Sequence, residues 1–302
     1  MRQPVTLIAG PTASGKSALA VALAERDGGI VVNADSMQVY RDLNVLTARP
    51  EADDLARAPH LLYGHVDAAA KYSVARWLDD IREVIEQARI TGRPLVIVGG
   101  TGLYFRALFG GLSRVPPIPQ EVRDRWRAFA ETAKPGVLHA ALAERDAEMA
   151  ARLEKGDTQR LSRALEVIEA TGRSLLHWQQ QTGEALLSQD TRRVVLAPPR
   201  PWLHARIEDR FARMVETGAC EEARALMSRG LDPALPAMKA IGLRELASVA
   251  EGKLSVADAV VAATAATRQY AKRQETFFRG QLANWPRLNP SAGSVDTALT
   301  QF

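Results

Sequence analysis

The run Gly10-Pro11-Thr12-Ala13-Ser14-Gly15-Lys16-Ser17 has the spacing of a phosphate loop, two glycines flanking four residues and then a lysine and a hydroxyl. Successive backbone N–H groups in such a loop form a nest for phosphate oxygens. The helix N-terminus behind it adds partial positive charge, Lys16 adds a full one, and Ser17 can hold Mg²⁺. These features specify phosphate without specifying hydrolysis. ATPases and GTPases set an Asp after an apolar strand to hold the metal and its water, whereas here Val96-Ile97-Val98 runs into Gly99-Gly100-Thr101-Gly102. Asp35 is the carboxylate placed to face the loop, able to hold metal, accept a proton or cap its own turn.

These groups need a scaffold, and the hydrophobic pattern predicts one. Val5-Thr6-Leu7-Ile8-Ala9 reads as a strand leading into the loop, and an alanine- and leucine-rich helix follows from about Lys16 to Arg26. A second strand over 29–34 stops at Asp35, and a third over 94–98 stops at the Gly99–Gly102 run. Between them Ser73 caps a helix whose Leu78, Ile81, Ile85 and Ala88 keep helical spacing. Alternating strands and helices imply a parallel sheet with ligands at the carboxyl ends of its strands, where Asp35 and Thr101 both fall.

Past Val115-Pro116-Pro117-Ile118-Pro119 the pattern becomes purely helical to about residue 185, with Val122, Trp126 and Phe129 on one stripe and Leu161, Leu165 and Ile168 on another. A strand returns at 193–197, followed by helices that include a long one from about Ser255 to Gln281. The predicted fold class is therefore α/β, a P-loop NTPase-like parallel sheet flanked by helices and carrying an all-helical insertion. The expected divisions are 1–118 for the first part of the core, 119–190 for the insertion, 191–286 for the second part, and 287–302 for a flexible tail.

Composition excludes more than it specifies. With 302 residues, 46 % of them hydrophobic, the chain can bury a large core, and it has no apolar run long enough to cross a membrane. The start reaches Gly10 too soon for a signal peptide, so a cytoplasmic location is expected. Cys220, the one cysteine, can form no internal disulfide and reads as packing. A net charge of +4 permits a polyanionic partner without requiring one.

Several motifs together resemble one family. The phosphate loop, Asp35-Ser36-Met37-Gln38-Val39-Tyr40-Arg41, Thr47-Ala48-Arg49-Pro50, the Gly99–Tyr104 run, Asp157-Thr158-Gln159-Arg160-Leu161-Ser162-Arg163-Ala164-Leu165-Glu166, Ala240-Ile241-Gly242-Leu243-Arg244-Glu245 and Arg268-Gln269-Tyr270-Ala271-Lys272-Arg273-Gln274 are similar to those of the tRNA dimethylallyltransferases, in family order over nearly the whole chain.

The resemblance implies that the loop binds dimethylallyl diphosphate rather than a nucleotide, and that the acceptor is the N6 amine of the adenosine 3′ to the anticodon in tRNAs reading U-initial codons. It assigns residues 10–17 and Arg224 to the diphosphate, Ser17 to Mg²⁺, and Lys16 with the metal to charge on the departing pyrophosphate. Asp35 would take the amine proton, with Ser36, Met37 and Gln38 at the base. Thr101 would donate to the diphosphate bridging oxygen or, alternatively, cap a helix. Arg123, Gln159, Arg160, Leu161, Ser162 and Arg163 of the insertion, and Ala240, Ile241, Gly242, Leu243, Arg244 and Glu245, would bind the anticodon stem-loop, whose reacting base must leave its stack. Arg268, Lys272 and Arg279 form either a phosphate-facing stripe or an ion-paired surface.

Two positions depart from the family pattern, Leu243 where many relatives have an aromatic residue and Phe277 where many have tryptophan. Lacking zinc-finger spacing, the chain resembles the compact bacterial form, expected to be monomeric. The rival readings are a P-loop small-molecule or nucleoside kinase, whose lid the insertion could imitate, and a noncatalytic RNA-binding protein.

Overall fold

The computed structural model describes residues 4–110, 113, 115–181 and 183–293. Its contacts divide the chain into two compact units, Met1–Phe109 with Leu187–Phe302, and Gly110–Leu186. The chain runs first through β1 (Val5–Ala9), α1 (Lys16–Asp27), β2 (Ile30–Asn33), α2 (Ala52–Arg57), β3 (His60–Leu61), α3 (Val74–Thr91), β4 (Leu95–Gly99) and α4 (Gly102–Gly110). The smaller unit holds α5 (Gln120–Thr132), α6 (Val137–Ala143), α7 (Ala147–Ala150), α8 (Thr158–Thr171) and α9 (Leu175–Gln180). The larger unit resumes with β5 (Arg192–Leu196), α10 (Arg200–Glu216), α11 (Ala219–Ser228), α12 (Leu243–Ala250), α13 (Val256–Gln281) and β6 (Arg287–Leu288).

The six strands form one parallel sheet in the order β3-β2-β4-β1-β5-β6. The central strands are apolar on both faces because both faces are covered. Leu7, Ile8, Leu95 and Ile97 are wholly buried, each contributing about 1.5–3 kcal/mol of transfer free energy. Ile8, Val31, Val96 and Val194 pack with Leu19, Ala20 and Leu23 of α1, and this packing fixes the helix behind the phosphate loop. Ser73 caps α3 by accepting from Arg76 N, as its sequence position predicts.

The four strands read from the sequence form within one residue of their expected ends. The two missed strands, β3 and β6, are two residues each, too short for any periodicity. β6 lies in the segment expected to be a flexible tail. Arg287 and Leu288 instead pair with Val195 and Leu196, Leu288 packs into the core, and Arg287 Nη2 donates to the carbonyls of Phe278 and Leu282. The remainder of that expectation, 294–302, lies outside the described residues.

The smaller unit starts at 110 rather than 119 and ends at 186 rather than 190. Val115 and Ile118 of the proline-rich stretch already pack in the helical core, with Trp126, Leu142, Leu161 and Leu165. Leu187 N donates to Leu108 O at 3.2 Å, so that residue belongs with the sheet unit.

Candidate active site

The phosphate loop leaves β1 and enters α1 through Gly15, whose φ of +86° is left-handed. Ala13 also takes a left-handed φ, +62°, a conformation that costs a non-glycine residue about 1–3 kcal/mol. Contacts hold it there: Ala13 packs against Leu203, Ile207 and Ala271, and its carbonyl accepts from Arg206 Nε at 3.0 Å. Lys16 Nζ donates to Pro11 O at 3.3 Å. Burial lowers the Lys16 pKa to about 8, with Asp35 opposing the shift and Arg210 adding to it.

At the end of β2, wholly buried Asn33 fixes the next turn. Asp35 N donates to Asn33 Oδ1 at 2.8 Å, while Asn33 Nδ2 donates to the carbonyls of Asp35 at 2.9 Å and Leu62 at 3.0 Å. Asp35 Oδ1 accepts from Met37 N at 2.9 Å and closes the turn. The expected turn-capping role of Asp35 therefore occupies one carboxylate oxygen, and the residue still lines the cavity described below.

Thr101 follows β4. Its N–H donates to Ala34 O at 3.2 Å, and its hydroxyl accepts from Ser36 N at 2.9 Å and donates to Ser36 Oγ at 3.2 Å. The hydroxyl thus ties the 99–102 run to the Asp35 turn. Gly99 permits the approach, since any Cβ there would overlap the Ala34 carbonyl.

A cavity of about 260 Å³ opens at these strand ends, lined by the Thr12–Ala13 edge of the loop, Asp35, Ser36 and Met37, and by residues of α10 and α13. Arg210 of α10 lines it and was not singled out from the sequence. Its Nη1 donates to Thr12 Oγ1 at 3.2 Å and its Nη2 to Thr47 O at 3.1 Å. Burial lowers its pKa to about 10, against the pull of Asp35 and with the help of Arg213 and Arg206. Tyr270, on the cavity wall, is pushed upward mainly by burial and then by Asp35, and therefore stays a neutral hydroxyl. The cavity gathers apolar walls, Ile207, Phe211 and Met214, beside one carboxylate, Asp35, and three cations, Arg210, Lys239 and Arg273.

The remaining expected residues fall into distinct groups. Arg224, assigned to the diphosphate, is exposed on α11 and absent from the cavity lining; the arginines there are Arg210 and Arg273. Ala240 and Ile241 line the cavity. Gly242 is the left-handed start of α12 at φ +87°, and Leu243 is wholly buried in the core beneath it, so Leu243 packs rather than touching RNA. Arg244 is exposed and Glu245 half-buried. Gln38 donates through Nε2 to the carbonyls of Thr47 and Ala48, both at 2.9 Å, which commits its amide nitrogen to a loop instead of a base edge.

Within the smaller unit, α8 divides by face. Leu161 and Ser162 are buried against the helical core, which removes them from the expected RNA contacts. Gln159 and Arg160 are exposed and Arg163 half-buried. Arg160 pairs with Asp157 at 3.4 Å and Arg163 with Glu166 at 3.2 Å. Arg123 is half-buried on α5, and its Nε has no partner. Arg268 pairs with Glu208 and, with Lys272, lines a separate groove between α10 and α13.

Among the described residues no cluster of three or more His, Cys, Asp or Glu could hold a metal. The oxygen donors at hand are the Ser17 hydroxyl, exposed on the first turn of α1, and the Asp35 carboxylate on the cavity wall. So sparse a set fits Mg²⁺, which keeps much of its water and leans on phosphate oxygens.

Sheet order, loop and cavity define the class, a phosphate-loop protein with a P-loop NTPase-like parallel core and a helical insertion. The chain matches the IPP transferase family over residues 38–281 and the isopentenyl transferase family over 3–63. It is 54% identical over 296 residues to a tRNA dimethylallyltransferase of Mesorhizobium japonicum, covering 97% of this chain and 92% of that one. A tRNA dimethylallyltransferase of Phenylobacterium zucineum is 54% identical over 288 residues, covering 95% and 93%. Among solved structures, the full-length tRNA isopentenylpyrophosphate transferase of Bacillus halodurans matches with a TM-score of 0.69 and 31% identity over 99% of this chain and 94% of that one. A eukaryotic dimethylallyltransferase acting on tRNA matches with a TM-score of 0.80 and 26% identity over 95% and 74%. The chain belongs to the tRNA dimethylallyltransferase family.

Proposed function

We propose that this chain transfers the dimethylallyl group of dimethylallyl diphosphate to N6 of the adenosine 3′-adjacent to the anticodon in tRNAs reading U-initial codons, releasing pyrophosphate. The observation that carries this reading is the convergence of Asp35, Arg210, the Thr12 edge of the phosphate loop and an apolar wall on one cavity. A diphosphate ester with a short branched hydrocarbon chain needs both halves of that surface.

The purine ring withdraws the lone pair of the N6 amine, so a positioned base assists its attack. Asp35 takes that proton, held by Asn33 and by its own turn. With substrate bound, the Thr101 hydroxyl turns its one proton from Ser36 Oγ to the diphosphate oxygen of the breaking C–O bond, where negative charge develops. Lys16 and Arg210 offset that charge from the loop side. Mg²⁺, held by Ser17 and the diphosphate, supplies further positive charge when bound. The exposed α8 residues Gln159 and Arg160, with Arg163, contact the anticodon stem-loop, since loop nucleotides are where proteins read RNA sequence. The enzyme works as a monomer in the cytoplasm, and no helix among the described residues is long and apolar enough to cross a membrane.

The test incubates the protein with unmodified tRNA, Mg²⁺ and dimethylallyl diphosphate, digests the RNA, and weighs its adenosine nucleosides. A gain of one five-carbon isoprenoid unit at the expected nucleotide is the result expected. Phosphate transfer from ATP to a small acceptor, with no mass gain on the tRNA, would instead support the kinase reading.

A further inference from the structure

We propose that Gln274 is a positioning residue that couples the phosphate loop to the Thr101 turn, so that filling the diphosphate site sets the geometry at the acceptor side. The proposal rests on the transfer reaction proposed above for what that geometry accomplishes, but the coupling itself does not depend on it.

Gln274 lies in the middle of α13 and is only 5% exposed. Burying a side-chain amide is unfavourable unless both its ends are bonded, and here both are. Its Oε1 accepts from Thr12 N at 2.9 Å, and its Nε2 donates to Gly100 O at 2.9 Å. The two partners belong to the two segments that carry the proposed chemistry, one residue before Ala13 in the loop and one residue before Thr101. The 99–102 run is built around this amide, because a Cβ on Gly100 would overlap Gln274 Nε2.

The bond to Thr12 also sorts the loop's donors. The Thr12 N–H is spent on Gln274 and is therefore not part of the nest for the diphosphate. The same residue's hydroxyl accepts from Arg210 Nη1. Hydrogen bonds and adjacent residues thus form one unbroken chain from Arg210 through Thr12, Gln274, Gly100 and Thr101 to Ser36. A diphosphate that draws on Arg210 and the loop pulls on one end of this chain, and the Thr101 hydroxyl sits at the other. Hydrogen-bonded networks transmit such displacements because losing one member leaves buried polar groups unpaired.

Two measurements test this. In the first, hydrogen exchange is followed with and without inorganic pyrophosphate. The wild-type chain should gain protection both at 10–17 and at 100–104, whereas Gln274→Glu, which keeps the acceptor for Thr12 but loses the donor to Gly100, should gain it at 10–17 only. Equal protection of both segments in the variant overturns the proposal, whatever reaction the protein catalyses. The second is a double-mutant cycle in the transfer assay. Gln274→Glu should lower kcat about 10- to 100-fold in the wild-type background, in line with the cost of small misplacements, and should have little further effect when Thr101 is already Ala. A residue that only supports the fold would give the same factor in both backgrounds, and that outcome also overturns the proposal. Absence of transfer by the wild-type chain would refute the proposed function and leave the exchange experiment to decide the coupling.

Discussion

Asn33 grips Asp35 at both of its backbone polar groups, accepting from its N–H at 2.8 Å and donating to its carbonyl at 2.9 Å. Asn33 is wholly buried at the end of a central strand, so the grip is as rigid as the sheet. Asn33→Ala should leave three such groups without their partner, those of Asp35 and the Leu62 carbonyl. An unsatisfied buried polar group costs about 1–3 kcal/mol, and the melting temperature should fall accordingly. Turnover should fall as well, since the Asp35 carboxylate hangs from the released turn. Unchanged kcat in a destabilised variant would mean that Asp35 holds its place without Asn33.

Asp35→Ala should leave the phosphate loop able to bind pyrophosphate while kcat drops about 10²–10⁴-fold, the usual contribution of a positioned general base. Lys16→Ala should weaken pyrophosphate binding as well as turnover. Calorimetry with pyrophosphate separates the two variants. If Asp35→Ala retained most of its turnover but needed far more Mg²⁺, the carboxylate would be a metal-site residue.

The parts of this design that were legible in the sequence are those written in periodicity or in a tight motif. The central strands are apolar on both faces and the loop has fixed spacing, so both stood out. The roles of Arg210 and Gln274 did not, because each is one polar residue among several on a long helix, and only the packing of α10 and α13 brings Arg210 to the cavity and Gln274 between the phosphate loop and the 99–102 run. Motif segments misled in the opposite direction. Leu161 and Leu243 stand inside family motifs together with exposed polar neighbours, yet both are wholly buried. Leu161 shares its helical stripe with Leu165, and that periodicity already marked it as core.

Arg210 and Arg224 give opposite expectations. Arg210→Ala removes a cavity cation bonded to Thr12 and Thr47, and should raise the KM for dimethylallyl diphosphate about tenfold or more, the scale of one lost charged hydrogen bond. Arg224→Ala removes an exposed helix residue and should change that KM little. Steady-state kinetics on the two variants decide which arginine serves the diphosphate, and the reverse ranking would restore Arg224.

The Lys16 pKa, lowered by burial from 10.5 to about 8, makes a two-sided prediction. In the free protein Lys16 is charged below about pH 8 and loses its proton above it, so pyrophosphate affinity should weaken as pH rises through that value. Stability moves the other way. Between about 8 and 10.5 the unfolded chain holds this proton and the folded one does not, so this group's contribution to stability rises with pH across that window. Below about 8 the lysine is charged in both states and the cost of burying it is fully present. Titrations of pyrophosphate binding and of denaturant stability over this range check both trends, and Lys16→Met should flatten both.

The α8 arginines provide the test of the RNA surface. Arg160 and Arg163 each have a carboxylate partner on their own helix or its cap, at 3.4 and 3.2 Å. The exposed Arg160–Asp157 pair contributes about 0–1 kcal/mol, so Arg160→Ala should barely move the melting temperature, whereas Glu166 is buried and Arg163→Ala, which leaves that carboxylate without its partner, should lower it. If they contact RNA phosphates, each lost contact removes counterions that would have been released. The slope of log affinity against log salt should then become shallower by roughly 0.7–0.9 for each contact, and the KM for tRNA should rise while the KM for dimethylallyl diphosphate stays constant. Filter binding of the anticodon stem-loop over a salt series gives the slope directly. A slope identical to that of the wild type would exclude both side chains from the phosphate contacts and leave Arg123 and Gln159 as the candidates in this unit.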